Sequence, residues 1–453
     1  MVVMKFGGTS VGSAERILQL VEIVKVAAAA EPVVVVVSAM SGVTNLLEEA
    51  SSLAAAQQER FRQVLEAVAR KHDECIGVLA LSPAISSRLI AGIREPIARL
   101  GEICKGLFLV GDLTPKTKAH IMSYGELLSS QIVQAVLENT GVPSVWLDSR
   151  KIIVTDSDYL AASVDYEKSY QNICQAVVDP GIVYVVPGYI SRSTVGENTT
   201  LGRGGSDFTA AIFAAALEAR QLEIWTDVNG MLSADPRLVR DTITIPAMSY
   251  EEAMELSYFG AKVIYPPTIQ PVMAKQLPIV IRNSFVPDHP GTRISAAPEM
   301  SPYYVKGLTS IQDIALITIT GPGMMGMPGM ADRLFVTLAS SKINVMFITQ
   351  SSSEHTLCLA IHQKDAFKGK EILERAYAYE LLEHRIAPIG LEEDLALIAV
   401  VGDGMKARTG SAGKIFSLLG ENGINIKAIA QGSTERNISF IVDQHQVAKA
   451  LNV

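Results

Sequence analysis

Apolar and polar positions along the chain change period several times, and each change marks an element. Residues 2–6 form a short β-branched run, residues 14–30 repeat with helical spacing, and residues 32–37 are almost unbroken valine. A run of that last kind predicts a central strand buried on both faces. Residues 46 to about 140 read as mainly helical, rich in Ala, Leu and Glu, with few breakers before 111–115. Further strands are predicted at 144–146, 183–187, 223–226 and 279–281, alternating with helices that include the apolar run 208–217. Such alternation predicts an α/β fold with an open, mostly parallel sheet sandwiched by helices.

The pattern changes after Asp288-His289-Pro290-Gly291-Thr292 and the segment 296–302, which together look like a domain boundary. Residues 1–295 are therefore assigned to a first domain and 303–453 to a second. The second domain contains an ungapped internal repeat. Ala315-Leu316-Ile317 recurs as Ala396-Leu397-Ile398, Ile343-Asn344-Val345 as Ile424-Asn425-Ile426, and Gln350-Ser351-Ser352-Ser353-Glu354 as Gln431-Gly432-Ser433-Thr434-Glu435. Each pair lies 81 positions apart (315 and 396, 343 and 424, 350 and 431). The copies span about 313–390 and 394–453, and each reads strand, glycine loop, helix, strand, polar turn, strand. Residues 321–326 match G-x-G-x-x-G, so a dinucleotide site has to be weighed. Against it, 345–350 is followed almost at once by 356–361 as a hairpin, where a dinucleotide fold needs another helical crossover. A split βαβ, ferredoxin-like (βαββαβ) unit fits better. The last helix, from about Gln446, runs for only two turns, and the chain is expected to be a piece of a longer protein.

Composition narrows the class. With 453 residues, 48% hydrophobic, and a formal charge of −8, the chain can build two or three full cores as a soluble protein. An acidic balance gives no basic footprint for nucleic acid or an anionic membrane surface. Cys75, Cys104, Cys174 and Cys358 form no C-x-x-C pair, which fits reduced thiols and a cytoplasmic location. No apolar run is long enough to span a bilayer.

Two glycine turns carry the candidate chemistry. Lys5-Phe6-Gly7-Gly8-Thr9-Ser10 follows a strand and precedes a helix, and Leu201-Gly202-Arg203-Gly204-Gly205-Ser206-Asp207 precedes the apolar run. Glycines let a backbone approach a ligand, and a helix N-terminus favours an anion. A P-loop, G-x-x-x-x-G-K-[ST], occurs nowhere in the chain. Lys5 suits a transferring phosphoryl group, where catalysis is mostly positioning and charge neutralisation, or it is a solvated lysine beside a turn. Glu126, in Ser123-Tyr124-Gly125-Glu126, either stabilises a helix start or receives a substrate ammonium group. Thr226-Asp227-Val228-Asn229-Gly230 and Asp235-Pro236-Arg237 make a turn-rich loop after a strand, compatible with a nucleotide pocket or with plain turn chemistry.

In this order, these motifs with Ser41-Gly42-Val43-Thr44-Asn45, Trp225-Thr226-Asp227-Val228 and Phe259-Gly260-Ala261-Lys262-Val263 resemble the aspartate kinases of the amino-acid-kinase family. The likeness covers essentially the whole chain. Through the segment from Met248 to Tyr258 it is similar to the kinase half of bifunctional aspartokinase/homoserine dehydrogenases, so a dehydrogenase is expected to follow in the full protein. The resemblance implies phosphorylation of L-aspartate by ATP to 4-phospho-L-aspartate, the first step of the aspartate-derived amino-acid pathway. It assigns catalytic roles to Lys5 and Asp207. Thr44, Glu126, Tyr189, Arg203 and Ser206 would bind aspartate, with Arg203 and Glu126 gripping its α-carboxylate and α-amino group. Lys5, Gly7, Gly8, Ser10, Thr226, Asp227, Arg237 and Lys262 would hold the nucleotide, and Mg2+ would come with ATP, with no metal site built from side chains. Leu232, Tyr265 and Tyr124 depart from the family pattern, which leaves details of nucleotide and aspartate contact open.

The repeats resemble ACT domains, ferredoxin-like sensors of small amino acids that pair side by side. Gln350 and Gln431, each before a small hydroxyl-rich run, resemble the effector sites of threonine-sensitive aspartate kinases, or else they cap hairpins. Threonine feedback inhibition and a homo-oligomer joined through the ACT domains are therefore expected. Two other readings remain: a kinase acting on glutamate or a related acid, and a non-catalytic amino-acid sensor.

Overall fold

The computed structural model describes residues 1–259, 264–298, 303–322, 329–351, 355–406 and 408–453. They gather into two compact units, one of Met1–Met231, Thr244–Tyr250 and Val263–Glu299, the other of Leu232–Ile243, Glu251–Lys262 and Met300–Val453. Among the described residues no helix is long and apolar enough to cross a membrane.

The first unit has strands β1 (Val2–Phe6), β2 (Val33–Val37), β3 (Ser144–Trp146), β4 (Val154–Thr155), β5 (Val183–Pro187), β6 (Ile190–Ser193), β7 (Asn198–Thr200), β8 (Gln221–Thr226), β9 (Ala247–Ser249), β10 (Ile279–Asn283) and β11 (Thr292–Ser295). Its helices are α1 (Ala14–Ala28), α2 (Val43–Ala55), α3 (Phe61–Val78), α4 (Pro83–Val110), α5 (Pro115–Met122), α6 (Tyr124–Asn139), α7 (Tyr166–Ala176) and α8 (Gly205–Ala216). Helix α9 (Tyr250–Tyr258) belongs from Glu251 onward to the second unit, and α10 (Gln270–Ala274) returns to the first.

Eight strands form one sheet in the order β3-β5-β2-β1-β8-β10-β11-β9, parallel except where β10 meets β11. The valines of β2 are all buried, as their unbroken run requires, and each contributes roughly 2 kcal/mol of burial. Alternation along β1 sends Met4 and Phe6 into the core shared with α1, α2, α4 and α6. Lys5 therefore points to the opposite face, where α8 packs on β1, β2 and β8. The carboxyl ends of β1, β2, β5 and β8 finish on one edge, with Phe6 beside Val37 and Trp225, and Val37 beside Pro187. Open α/β sheets bind ligands at that edge.

The second unit holds β12 (Gly307–Thr320), α11 (Met330–Ser340), β13 (Val345–Gln350), β14 (Thr356–His362), α12 (Ala366–Ala376), α13 (Ala378–Leu382), β15 (Gly390–Val401), α14 (Ser411–Glu421), β16 (Ala428–Gln431), β17 (Asn437–Asp443) and α15 (Val447–Asn452). These strands form an antiparallel sheet ordered β13-β14-β12-β15-β17-β16. Sequence reading takes the repeats as successive units, and the strand pairing adds something to that. β12 is one continuous strand whose later part pairs with β14 of the first repeat, whereas Gly307–Ile311 pairs with the end of β15 in the second. The second repeat thus obtains its last strand from upstream of the first.

The 81-residue spacing also appears in the backbone. Asp313 and Asp394 both have positive φ (56° and 55°), at bulges where β12 and β15 change register. Gln444 donates its side-chain amide to Asp313 and accepts from that residue's N–H, and Gln363 does the same for Asp394. Two matched clasps thereby fix the crossover.

Candidate active site

A cleft of about 740 Å3 opens at the carboxyl edge of the parallel sheet. Lys5 reaches it from β1, Thr44 from the first turn of α2, Glu126 from the first turn of α6, and Arg203, Ser206 and Asp207 from the turn that starts α8. Three helix N-termini converge there, each bringing a partial positive charge. Gly42 and Gly204 cap α2 and α8 with positive φ (81° and 70°), a conformation that favours glycine.

Lys5 Nζ lies 2.7 Å from Asp207 Oδ1, with both side chains largely buried. The carboxylate fixes the ammonium group at the mouth of α8. Gly8 allows the first turn to close over the loop after β2, since a Cβ there would stand 2.9 Å from the Ala39 carbonyl. Gly188 plays the same part against α8, where a Cβ would come within 2.6 Å of Ser206 Cβ.

Glu126 is buried, and desolvation pushes its carboxyl up to about 8. The amides of Ala39 and Glu126, the charge of Lys5 and the hydroxyl of Ser206 oppose that rise without cancelling it. Among the described residues one carboxylate oxygen, Oε2, has no hydrogen-bond partner. A buried acid with an open acceptor, in a cleft, is a group poised for a cation. Tyr189 adopts φ 69°, rare for an aromatic residue, and its N–H donates to Thr209 Oγ1 at 3.0 Å. Burial raises its phenol pKa. Arg203 is exposed at the rim, with its guanidinium 5.5 Å from the centre of the Tyr265 ring. That residue is one of the family departures, and it supplies an aromatic face to the arginine.

The cleft thus brings together Lys5, Gly8, Thr44, Glu126, Tyr189, Arg203, Ser206 and Asp207. Other sequence candidates are not among the residues that line it. Gly7 donates its N–H to the Trp225 carbonyl at 3.0 Å, and Ser10 is buried with its hydroxyl 2.7 Å from that of Ser284. Thr226 and Asp227 sit at the end of β8, where the two side chains bond each other. Arg237 is counted with the second unit, highly exposed and forked onto Asp235. Lys262 lies outside the described residues, as do Gly323, Met324 and the run Ser352-Ser353-Glu354. Gln350 and Gln431 are exposed at the ends of the edge strands β13 and β16. Tyr124 is buried, its ring edge-on to His120.

Sequence reading missed Lys118 and Glu48, which line the cleft as an ion pair at 2.5 Å. Glu48 stands one helical turn beyond Thr44, a usable signal, but nothing local announces that α5 brings Lys118 to meet it. Among the described residues no group of three or more His, Cys, Asp or Glu side chains is placed to hold a metal ion.

Comparison with known proteins fixes the class. The profile of the amino acid kinase family matches residues 1–283, and an ACT domain profile matches 317–377 and 398–453. The chain belongs to the amino acid kinase family. It is 38% identical to the bifunctional aspartokinase/homoserine dehydrogenase of Haemophilus influenzae, over all of this chain and 56% of that protein. The chain spans about half the length of the curated relatives it matches first. Two crystal structures of Escherichia coli aspartokinase III, 27% identical, cover all of this chain and 98% of theirs. One is in complex with aspartate and ADP (R-state, TM-score 0.82), the other with lysine and aspartate (T-state, TM-score 0.80).

Proposed function

We propose that the first unit transfers the terminal phosphoryl group of ATP to the side-chain carboxylate of L-aspartate, giving 4-phospho-L-aspartate and ADP. The observation that carries this reading is the Lys5–Asp207 pair at the start of α8, inside a cleft that also offers Glu126 and Arg203. Likeness to an aspartokinase crystallised with aspartate and ADP supports the same substrates here.

The chemistry asks little of the protein beyond positioning. An aspartate side chain has a pKa of roughly 4, so it is already a nucleophile at neutral pH and needs no general base. Arg203 would take the α-carboxylate in a forked hydrogen bond, and the open oxygen of Glu126 would accept from the ammonium group. That contact requires Glu126 ionised, so aspartate binding releases a proton whenever the empty cleft holds the acid neutral. The carboxylate oxygen then attacks the γ-phosphorus as the bond to ADP breaks. Lys5 and the helix N-termini of the cleft offset the negative charge gathering between them. Mg2+ is expected to travel with the nucleotide. Asp207, at the start of α8, holds the Lys5 ammonium group in place.

The second unit is read as an amino-acid sensor, with threonine as effector near Gln350 and Gln431. Its two edge strands expose Ile348 and Ile429 at equivalent positions, and α11 exposes Phe335 and Val336. These apolar faces support a homo-oligomer joined through the repeats. An ATP-dependent hydroxamate assay tests the kinase reading, because hydroxylamine traps an acyl phosphate. Aspartate should give hydroxamate and glutamate should not, and a purified enzyme that leaves ATP intact with aspartate and magnesium would refute it.

A further inference from the structure

The charged groups that the proposed reaction uses are fixed in different ways. Lys5 is held by Asp207, and Glu126 is buried on α6. Arg203 stands exposed at the rim, on the turn before α8, and its contact is with a ring: the guanidinium carbon lies 5.5 Å from the centre of Tyr265. A guanidinium that swings freely has to be frozen when it grips a carboxylate, and an arginine side chain has much rotamer freedom to lose. One already seated on an aromatic face has lost part of that freedom before the substrate arrives. Attraction to the ring draws on the guanidinium's charge and leaves its N–H fork available.

The ring is itself firmly seated. Tyr265 caps the single helical turn Pro266–Ile269, and its carbonyl accepts from the Thr268 N–H at 2.9 Å and from the Thr268 hydroxyl at 2.6 Å. Pro266 and Pro267 fix the backbone that follows. The base of the side chain lies on the glycine turn that carries Arg203. A Cβ at Gly204 would stand 3.0 Å from Tyr265 Cβ, 3.4 Å from its Cδ1, and 3.0 Å from Cγ2 of the buried Thr268. The bare glycine therefore serves the ring as well as the turn: it lets an aromatic side chain from 60 positions downstream reach the arginine next to it.

We propose that Tyr265, one of the departures from the family pattern, is a positioning residue for the acid substrate. Its ring holds the Arg203 guanidinium where it meets the α-carboxylate, and the site thereby favours acids that carry one. This rests on the reading of the cleft as an aspartate site. Because the ring acts through Arg203, its effect falls on binding of the acid and spares phosphoryl transfer.

The test uses the full chain, the variants Tyr265→Phe and Tyr265→Leu, and two substrates in the hydroxamate assay. One is L-aspartate; the other is L-isoasparagine, which keeps the side-chain carboxylate and has an amide in place of the α-carboxylate. Leucine keeps apolar packing on Gly204 and removes the aromatic face. Tyr265→Leu should raise KM for aspartate about fivefold, with kcat and KM for ATP unchanged, whereas Tyr265→Phe should stay within about twofold of the wild type. The preference for aspartate over isoasparagine should fall by a similar factor, because the amide offers no charge to the positioned guanidinium. A wild-type KM for aspartate in Tyr265→Leu would overturn the proposal. So would an equal loss on both substrates, which would mean that the ring only shapes the turn. If the wild type makes no hydroxamate from aspartate, the reading of the reaction falls. The Arg203 Nε–H resonance then decides the contact by itself: the ring current should shift it in the wild type and in Tyr265→Phe and not in Tyr265→Leu, and one position in all three would show that the ring does not hold the guanidinium.

Discussion

The turn Leu201–Asp207, which starts α8, and the turn Gly402–Met405, which lies several residues ahead of α14, both carry glycines and an acidic residue, yet they meet different fates. In the first, Asp207 is held by Lys5, and Arg203 and the unpaired oxygen of Glu126 remain open to the cleft. In the second, the chain's own Glu252 accepts from the Asp403 N–H, and Arg436 lies against the Asp403 carboxylate. A glycine turn is therefore a place where a carboxylate can be received, and only the surroundings say whether it comes from solution or from the same chain.

Substitutions can pull the two turns apart. Lys5→Met removes the cation next to the transferring group and should lower kcat about 10³-fold. It should leave hydrogen exchange of the amides in α9, which carries Glu252, untouched, and any change there would mean the two turns are not independent. Glu126→Gln removes the acceptor for the substrate ammonium and should cost about 10–100-fold in kcat/KM for aspartate. In the wild type that parameter should rise with pH towards about 8, where Glu126 ionises, and the variant should lose the rise. Stability moves the other way. The folded acid keeps its proton from the unfolded value of 4.5 up to about 8, so its favourable contribution is present at low pH and lost as pH rises through 8. The urea midpoint should accordingly fall between pH 5 and pH 9 more in the wild type than in Glu126→Gln. Gly188→Ala forces a methyl onto Ser206 and should destabilise the first unit by about 1–3 kcal/mol, measured by urea unfolding. The smallest effect is expected of Lys118→Met, whose half-exposed ion pair with Glu48 should be worth at most about 1 kcal/mol.

Much of this was legible in the residues. The valine run declared a buried central strand, the glycine turns declared the sheet edge where the cleft opens, and the 81-residue repeat declared a paired second region. What sequence could not supply was long-range pairing. Lys118 meets Glu48 across 70 positions, and Glu252 meets Asp403 across 151. Neither pairing has a local signature: Glu48 follows Thr44 by one turn but nothing nearby points to Lys118, and Glu252, early in α9, ordinarily reads as a favourable charge at a helix N-terminus. Ser10 shows the same limit. A hydroxyl in a glycine turn suggests a phosphate ligand, and nothing local announces that Ser284 lies 2.7 Å from it. The sharing of β12 was invisible too, since its first residues repeat nothing else in the chain.

That shared strand has a bearing on biosynthesis. Gly307–Ile311 leaves the ribosome before the first repeat, but its neighbour in β15, Leu397–Val401, follows only after some 90 residues, roughly 5–20 s later at ordinary translation speeds. Through that interval a β-prone segment waits with its hydrogen-bonding edge unsatisfied. A nascent chain stalled between the repeats would expose it, and chaperones that bind extended apolar peptides should be found there first.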